Sequence, residues 1–207
     1  YRLFNNDGDF NFTDVSTQVG LAVTVLEHYG VSWGDYDRDG DLDLYTSTYA
    51  YPGEPYEFSR LNHLYKNSGD GTFEDVTLVA GVGDSLRMSF KGVWFDYDHD
   101  GWPDLYVIND RDTPSTMYHN NGDGTFSDAT GSTGTAYTDD DPMTASVTDF
   151  DNDGDLDIYT TNTGLFGENG RLIVNNGDAT FTELGQQFGV DIAMATWGAT
   201  WADVDND

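Results

Sequence analysis

An acidic pattern of nine residues, Asp-x-Asp-x-Asp-Gly-x-x-Asp, recurs along this chain and constrains its fold more than any other feature. It reads DYDRDGDLD at 35–43, DYDHDGWPD at 96–104 and DFDNDGDLD at 149–157. A fourth copy, DVDND, starts at Asp203 and is incomplete within the 207 residues of the sequence. Successive copies start 61, 53 and 54 residues apart. This spacing indicates a repeat protein.

A second pattern, Asn-x-Gly-Asp-x-x-Phe, runs out of phase with the first. Its four copies occupy 6–12, 67–73, 120–126 and 175–181, and their final phenylalanines are 61, 53 and 55 residues apart. We interpret this pattern as structural, because its glycine suits a hairpin turn that requires a positive φ. The aspartate after the glycine is expected to cap the turn through its own side chain.

Short segments around these patterns alternate apolar and polar residues with period two, as strands do. One segment precedes each acidic loop, one follows it, and two flank the glycine turn. Four strands per repeat at this period predict an all-β fold, a β-propeller built of four-stranded antiparallel blades. We expect a single propeller domain over 1–207, with whole blades at about 30–81, 90–130 and 144–184 and a split blade formed by 198–207 with 1–15.

The charge of the chain limits its partners. It has 38 acidic and 8 basic residues, a formal net charge of −30. Nucleic acid, which is bound through Lys and Arg, is therefore excluded, and docking on anionic membranes is disfavoured. No apolar run is long enough for membrane insertion. The absence of cysteine excludes disulfides and thiolate metal sites. Cations are the partners that suit this charge.

The acidic loops have the composition of a calcium site, because calcium takes six to eight oxygen ligands in flexible loops. Aspartates at loop positions 1, 3 and 5 can converge on one centre, glycine at position 6 allows a sharp turn, and aspartate at position 9 closes the shell. Position 7 can offer its backbone carbonyl. The predicted metal ligands are Asp35, Asp37, Asp39, Asp43, Asp96, Asp98, Asp100, Asp104, Asp149, Asp151, Asp153 and Asp157, with Asp41, Trp102 and Asp155 acting through their backbone carbonyls.

Two other interpretations of the loop fit the sequence less well. An EF-hand loop also starts Asp-x-Asp-x-Asp-Gly, but it requires a glutamate at position 12. This chain has Thr46, Val107 and Thr160 there. Magnesium prefers fewer carboxylates and retains its waters. We therefore predict calcium at three sites.

The loops, the segments GVSWGDYD and GVWFDYD, and the following LYKNSGDGTFEDVT resemble FG-GAP/VCBS repeats, the blades of integrin-α-like β-propellers. The element NNGDGTF is most similar to their bacterial and marine relatives. The similarity covers essentially the whole chain and implies calcium ligands at the positions given above. It also implies an extracellular or cell-surface protein that serves adhesion, ligand binding or scaffolding. The fourth copy offers Asp203, Asp205 and Asp207 but lacks positions 6 to 9, so its metal binding stays open.

The order of the motifs predicts an incomplete ring. The chain starts in the second half of one blade and ends in the first half of another, with a predicted inner strand at 198–203. We expect a fragment of a larger propeller whose end faces expose apolar residues. Expressed alone, it is expected to form a homodimer with a ring of eight blades. A closed ring of four blades is the alternative.

No residue pattern predicts a catalytic centre, and we expect no enzyme activity. No nucleophile elbow, phosphate loop or histidine-rich cluster is present in the sequence. His99 falls at position 4 of an acidic loop and is expected to face solvent. His119 lies in a strand-to-turn element where the other repeats have Lys66 and Val174. His28 and His63 are expected in inter-strand loops, where they could meet Glu54 or Glu57. All four histidines are considered for catalysis and set aside.

The ligand, protein or glycan, is not identified by the sequence. Propellers bind through loops on one face, and aromatic side chains stack on sugars. The insert at 49–60 holds four aromatics and two prolines and is one candidate surface; the acidic segment at 138–142 is another. A loop packed on its own aromatics is the simpler interpretation of the insert. The alternative to a binding or scaffold module is a carbohydrate-binding lectin or a carbohydrate-active enzyme.

Overall fold

The computed structural model describes residues 2–21, 28–49, 61–84, 87–111, 113–138, 141–163 and 169–203. The all-β architecture predicted from the sequence is confirmed. Within these ranges the strands form one two-stranded sheet and three four-stranded antiparallel sheets, and each four-stranded sheet is one propeller blade. Strands within a blade are hydrogen-bonded in chain order.

A hairpin precedes the three blades along the chain. The N-terminal hairpin consists of β1 (Phe4–Gly8) and β2 (Asn11–Asp14). The first blade contains β3 (His28–Gly34), β4 (Asp43–Thr48), β5 (His63–Asn67) and β6 (Phe73–Asp75). The second contains β7 (Met88–Phe95), β8 (Asp104–Asp110), β9 (Thr116–Asn120) and β10 (Phe126–Asp128). The third contains β11 (Pro142–Thr148), β12 (Asp157–Asn162), β13 (Arg171–Asn175) and β14 (Phe181–Glu183).

One helical turn follows the last strand of each blade: α1 (Thr77–Ala80), α2 (Thr130–Thr133) and α3 (Gly185–Phe188). The strand pattern of the sequence does not predict these turns. Each ends at a glycine in the left-handed region, where a residue without Cβ is unstrained. Among the described residues no helix has the length and apolar character needed to cross a membrane.

The core lies between consecutive blades. Tyr45 and Leu64 of the first blade pack with Leu105 and Phe126 of the second, and the second blade packs on the third in the same way. Fully burying a side chain of this size contributes about 1.5–3 kcal/mol, so these contacts account for much of the stability. Gly92 allows the close approach, because a Cβ there would lie 2.7 Å from the ring of Tyr45.

The N-terminal hairpin repeats the outer half of a blade and packs on the first blade. The backbone N–H of Phe73 donates to the carbonyl of Val19 at 2.7 Å. Leu3 and Val19 pack against a buried cluster in the first blade. Phe12 of the hairpin is 61% exposed, whereas its counterpart Phe126 in the second blade is 8% exposed. Among the described residues, none covers Phe12 as Tyr36 of the first blade covers Phe126.

The predicted inner strand at 198–203 is wrong, because these residues form no strand. In the whole blades the inner strand pairs with the strand that follows the acidic loop, and no described residue follows 203. The segment still lies where the next blade would start. The ring centroid of Trp201 is 6.4 Å from Phe150 and 6.2 Å from Tyr159, and Trp94 of the second blade makes the matching contacts with the first blade at 6.5 and 6.2 Å.

Candidate metal-binding loops

Each acidic loop connects the first and second strands of its blade and is closed by paired residues. Gly34 pairs with Asp43, Phe95 with Asp104 and Thr148 with Asp157. The loops share one backbone shape: φ is 59–61° at position 4 and 90–99° at position 6. Glycine at position 6 adopts that angle without strain. The residues at these two positions are Arg38 and Gly40, His99 and Gly101, and Asn152 and Gly154.

Backbone amides hold the carboxylates of each loop. The N–H of the position-6 glycine donates to the position-1 aspartate at 3.1, 2.9 and 3.0 Å in the three loops. The N–H of position 7 donates to the position-5 aspartate at 3.0, 2.8 and 2.9 Å. The sequence thus folds each loop around its own carboxylates.

The position-9 aspartates, Asp43, Asp104 and Asp157, are buried. One oxygen accepts the N–H of loop position 2 at 3.0–3.1 Å. The other accepts the N–H of the last residue of the third strand at 2.8–2.9 Å. Burial raises the pKa of Asp43 to about 6 and that of Asp104 to about 7, despite these hydrogen bonds. A buried anion beside further carboxylates is costly unless a cation compensates it.

The carboxylates converge as a metal site requires. Oxygens of loop positions 1, 3 and 5 in the first two loops, and of positions 1, 3 and 9 in the third, lie within 4.8 Å of one another. Oδ1 of Asp35 and Oδ1 of Asp96 are buried and accept no hydrogen bond from the protein. Clustered carboxylates with unshared oxygens are the ligands that calcium prefers. The residues present therefore fit a hard divalent cation.

A family model for FG-GAP-like repeats matches residues 53–107 and 96–160, which together make up more than half of the chain. The chain belongs to the FG-GAP-like repeat family. No curated protein matches it. The solved structures that are similar include a lectin from Agrocybe aegerita, described for specific recognition of non-reducing terminal N-acetylglucosamine, with 18% identity and a TM-score of 0.45. That match covers 87% of this chain and 45% of the lectin chain.

In these FG-GAP-like repeats the position-7 side chains point to the glycine turn of the same blade. A Cβ on Gly69 would lie 2.7 Å from Oδ2 of Asp41, and one on Gly177 would lie 2.8 Å from Oδ2 of Asp155. Trp102 lies against Gly122 in the same way. This orientation leaves the backbone as the only part of position 7 that could face the loop centre. Ligation through the carbonyl stays a prediction.

The asparagine of the second motif links neighbouring blades, a role that its turn pattern does not reveal. Its side-chain oxygen accepts the glycine N–H of the turn, at 3.0 Å in Asn120 and 3.1 Å in Asn175. Its Nδ2 donates to a carbonyl at loop position 2 of the preceding blade, from Asn120 to Tyr36 and from Asn175 to Tyr97, both at 2.8 Å. The acidic loop of one blade and the turn of the next are thus tied together.

The aspartate of the second motif caps the turn as predicted in three copies, at Asp70, Asp123 and Asp178, whereas Asp9 of the N-terminal copy accepts no hydrogen bond from a described residue. Asp70 accepts the N–H of Thr72 at 3.0 Å, and Asp123 accepts that of Thr125 at 3.0 Å. The threonine hydroxyls donate to the same carboxylates and lower the pKa of Asp70 and Asp123. The glycine before each aspartate has a positive φ, between 71° and 85° in the four copies. The structural interpretation of this motif is therefore confirmed for the turn.

A side chain from the third strand reaches two of the loops. The Nζ of Lys66 contacts Oδ2 of Asp37 and lies 3.1 Å from Oδ2 of Asp39. In the second blade, Nδ1 of His119 lies 3.2 Å from Oδ2 of Asp98. The sequence shows Lys66 and His119 only as equivalent positions of two repeats and does not place them beside an acidic loop. The feature that could have revealed these contacts is that each residue immediately precedes the motif asparagine.

Several predicted positions lie outside the described residues: Asp205 and Asp207, residues 50–60 with Glu54 and Glu57, the side chain of His28, and residues 139–140 of the acidic segment. Asp203 is described and lies in the segment without strand structure.

The two other histidines whose side chains the structure describes, His63 and His99, have identifiable partners. His63 was expected in a loop, but it begins β5, because it pairs with Thr46 across the sheet. Its Nδ1 lies 3.0 Å from Oδ2 of Asp75 in the same blade. His99 is exposed, with Nε2 3.4 Å from Oδ1 of Asp155. Neither contact joins a histidine to a nucleophile.

A buried polar network between the first and second blades was not predicted. The carboxylate of Asp84 accepts from Nδ2 of Asn109 at 2.7 Å and from the hydroxyl of Thr116 at 3.1 Å. Nε of Arg87 lies 3.2 Å from Oδ1 of Asp84. Burial raises the pKa of Asp84. Asn109 has a counterpart in Asn162, but Asp84, Arg87 and Thr116 do not recur at the repeat spacing, so no pattern in the sequence marks the network.

A cavity of about 340 Å³ opens beside this network. Leu61 and Leu78 line it with Asp84, Arg87 and the ring of Tyr118. It lies at the ends of the strands that are remote from the acidic loops. The cavity combines apolar surface with charged hydrogen-bonding groups.

Proposed function

We propose that this chain is a calcium-binding propeller module. Each acidic loop would hold one calcium ion through the aspartates at positions 1, 3, 5 and 9 and the carbonyl of position 7. The observation that carries the proposal is the repeated loop geometry, in which carboxylates converge and buried oxygens of Asp35 and Asp96 have no protein donor. Calcium bound there would neutralise the clustered charge and supply the partner that these oxygens lack.

The loops would transmit this stabilisation to the blades. Position 1 directly follows the first strand and position 9 begins the second, so one ion would clamp both strands of a blade. The asparagine bridge from Asn120 to Tyr36 continues the connection to the next blade. Loss of calcium should therefore weaken whole blades as well as the loops.

The proposed role of the stabilised propeller is binding, adhesion or scaffolding outside the cell. Membership of the FG-GAP-like family supports this role. Extracellular calcium modules bind their ion at roughly 10⁻⁴–10⁻³ M, and we expect the loops to fall on the order of 10⁻⁵–10⁻³ M. A calcium-dependent fold suits a compartment in which calcium is constantly abundant.

Thermal melts with calcium and with chelator test the proposal. At calcium one hundred times its dissociation constant, each site should add about 2.7 kcal/mol to the free energy of unfolding. The melting temperature should rise in calcium and change little in magnesium at the same concentration. An identical melting temperature in calcium and chelator would contradict the proposal.

Carbohydrate binding is a second candidate, favoured by the cavity beside Asp84. Carboxylate and guanidinium groups hydrogen-bond sugar hydroxyls, and an aromatic ring such as Tyr118 offers an apolar face. A lectin, or a carbohydrate-active enzyme, would use this cavity. A glycan array with the wild type and Arg87→Met, supported by an activity screen on acidic polysaccharides, tests it. Binding that Arg87→Met leaves unchanged would exclude the cavity as the sugar site.

We also propose that a second copy of the chain covers the two end faces. One face presents the outer-strand hairpin with Phe12 exposed, and the other presents Trp201 at the place of an inner strand. The two faces are the halves of one blade, so each copy could complete the other. Light scattering on the 207-residue chain should give twice its mass of 22.9 kDa. A stable monomer at micromolar concentration would contradict the dimer.

A further inference from the structure

The three acidic loops share a backbone shape and differ in the side chain that reaches them from the third strand. In each loop, backbone amides donate to the position-1, position-5 and position-9 aspartates at nearly the same distances. The residue that precedes the motif asparagine differs: it is Lys66 in the first blade, His119 in the second and Val174 in the third. The first and third loops therefore compare a fixed cation with a hydrocarbon in one scaffold.

Lys66 places its ammonium group among the proposed ligands of the first loop. It contacts Asp37 at position 3 and lies 3.1 Å from Oδ2 of Asp39 at position 5. A lysine ammonium group is charged at neutral pH, so Lys66 brings a positive charge to this loop. Val174 brings no charge to the third loop.

An ammonium group and a calcium ion cannot share these carboxylates, because both are cations that require the same oxygens. Calcium entering the first loop must break both contacts of Lys66 and move its ammonium into solvent. The Lys66 side chain is 34% exposed, so it can leave without disturbing the core. Among the described residues, no lysine or arginine contacts the aspartates at positions 1, 3, 5 and 9 of the third loop, so calcium has no such contacts to break there.

We infer that Lys66 is an internal counter-ion that lowers the calcium affinity of the first loop. This inference rests on the proposed calcium function. It means that loop 149–157 binds calcium at a lower concentration than loop 35–43. In the calcium-free protein Lys66 neutralises part of the charge of its loop. As calcium rises, the third blade is reinforced first and the first blade later. The chain then responds to calcium in steps.

The glycine at position 6 provides one reporter in each loop, because its N–H donates to the position-1 aspartate. Calcium is titrated into the chelator-stripped chain, and the ¹H–¹⁵N resonances of Gly40 and Gly154 are followed. We expect the Gly154 midpoint at a calcium concentration on the order of tenfold lower than that of Gly40. Lys66→Met should lower the Gly40 midpoint by a similar factor and leave Gly154 unchanged.

Lys91→Met is the matched control, because it removes the same charge from β7 and leaves the loops intact. It should leave both midpoints unchanged. The reverse exchange, Val174→Lys, should raise the Gly154 midpoint. A Gly40 midpoint that Lys66→Met does not move, while both glycines still respond to calcium, would overturn the inference and leave the calcium proposal standing. No response at Gly40, Gly101 and Gly154 would contradict the calcium proposal and with it this inference.

Discussion

The two faces of the blade array organise buried charge in opposite ways. The loop face, which carries residues 35–43, 96–104 and 149–157, gathers several carboxylates around each centre and leaves oxygens of Asp35 and Asp96 without a protein donor. The opposite face, which carries Asp84 and Arg87, surrounds a single buried carboxylate with donors. On the opposite face the chain itself supplies the partners of the buried carboxylate, whereas on the loop face the proposed calcium ions would supply them.

The largest effect is expected from Asp104→Ala on the loop face, measured by urea denaturation in calcium. The change leaves the N–H groups of Tyr97 and Asn120 without their acceptor, at about 1–3 kcal/mol each. It also removes a proposed ligand whose ion contributes about 2.7 kcal/mol at one hundred times the dissociation constant. We expect a total loss of about 5–9 kcal/mol in calcium and a smaller loss in chelator.

Asp123→Ala provides the control, because Asp123 caps an exposed turn away from the metal centre. It should remain close to wild type in both conditions. Equal losses for Asp104→Ala in calcium and chelator would show that Asp104 has only a structural role.

On the opposite face, Asp84→Ala should cost about 3 kcal/mol, because it removes the buried carboxylate that pairs with Arg87 and accepts from the Asn109 amide. This loss should be the same in calcium and in chelator, and calcium affinity should not change. A loss that depended on calcium would break the distinction between the two faces.

Within the loop face, Asp98→Ala should reduce calcium affinity more than Asp41→Ala. Asp98 is a predicted side-chain ligand at position 3, whereas the Asp41 side chain points toward Gly69 and its carbonyl survives the substitution. Stability in calcium should fall by about 2.7 kcal/mol for Asp98→Ala and by less than about 0.5 kcal/mol for Asp41→Ala. Calorimetric titration of both variants measures the affinities. Equal losses would mean that the loop positions are wrongly assigned.

Features that recur in the chain were predictable from the sequence. The acidic loops, the glycine turns and the alternating strands share one spacing, and local backbone requirements such as the positive φ of Gly69 recur with them. Because neighbouring blades are repeats of one sequence pattern and pack on one another, the pattern of one blade predicts the structure of the next.

Features that arise from a single pair of distant residues were not predictable. The contact of Lys66 with Asp37 depends on how β5 lies beside the loop, and the pairing of Asp84 with Asn109 depends on two blades meeting. The strand predicted at 198–203 is absent for a related reason. Alternating apolar and polar residues form a strand only where a partner strand supplies hydrogen bonds. Trp201 nevertheless keeps the contacts that its repeat position predicts.

Calcium titration calorimetry on the chelator-stripped wild-type chain counts the ions that the acidic loops bind. We expect three calcium ions per chain, one for each complete acidic loop, and two in Asp98→Ala because one loop loses a ligand. Binding should persist in excess magnesium, which prefers fewer carboxylates. A chain that takes up no calcium, or an Asp98→Ala variant that binds as many ions as the wild type, would contradict the assignment of these loops as calcium sites.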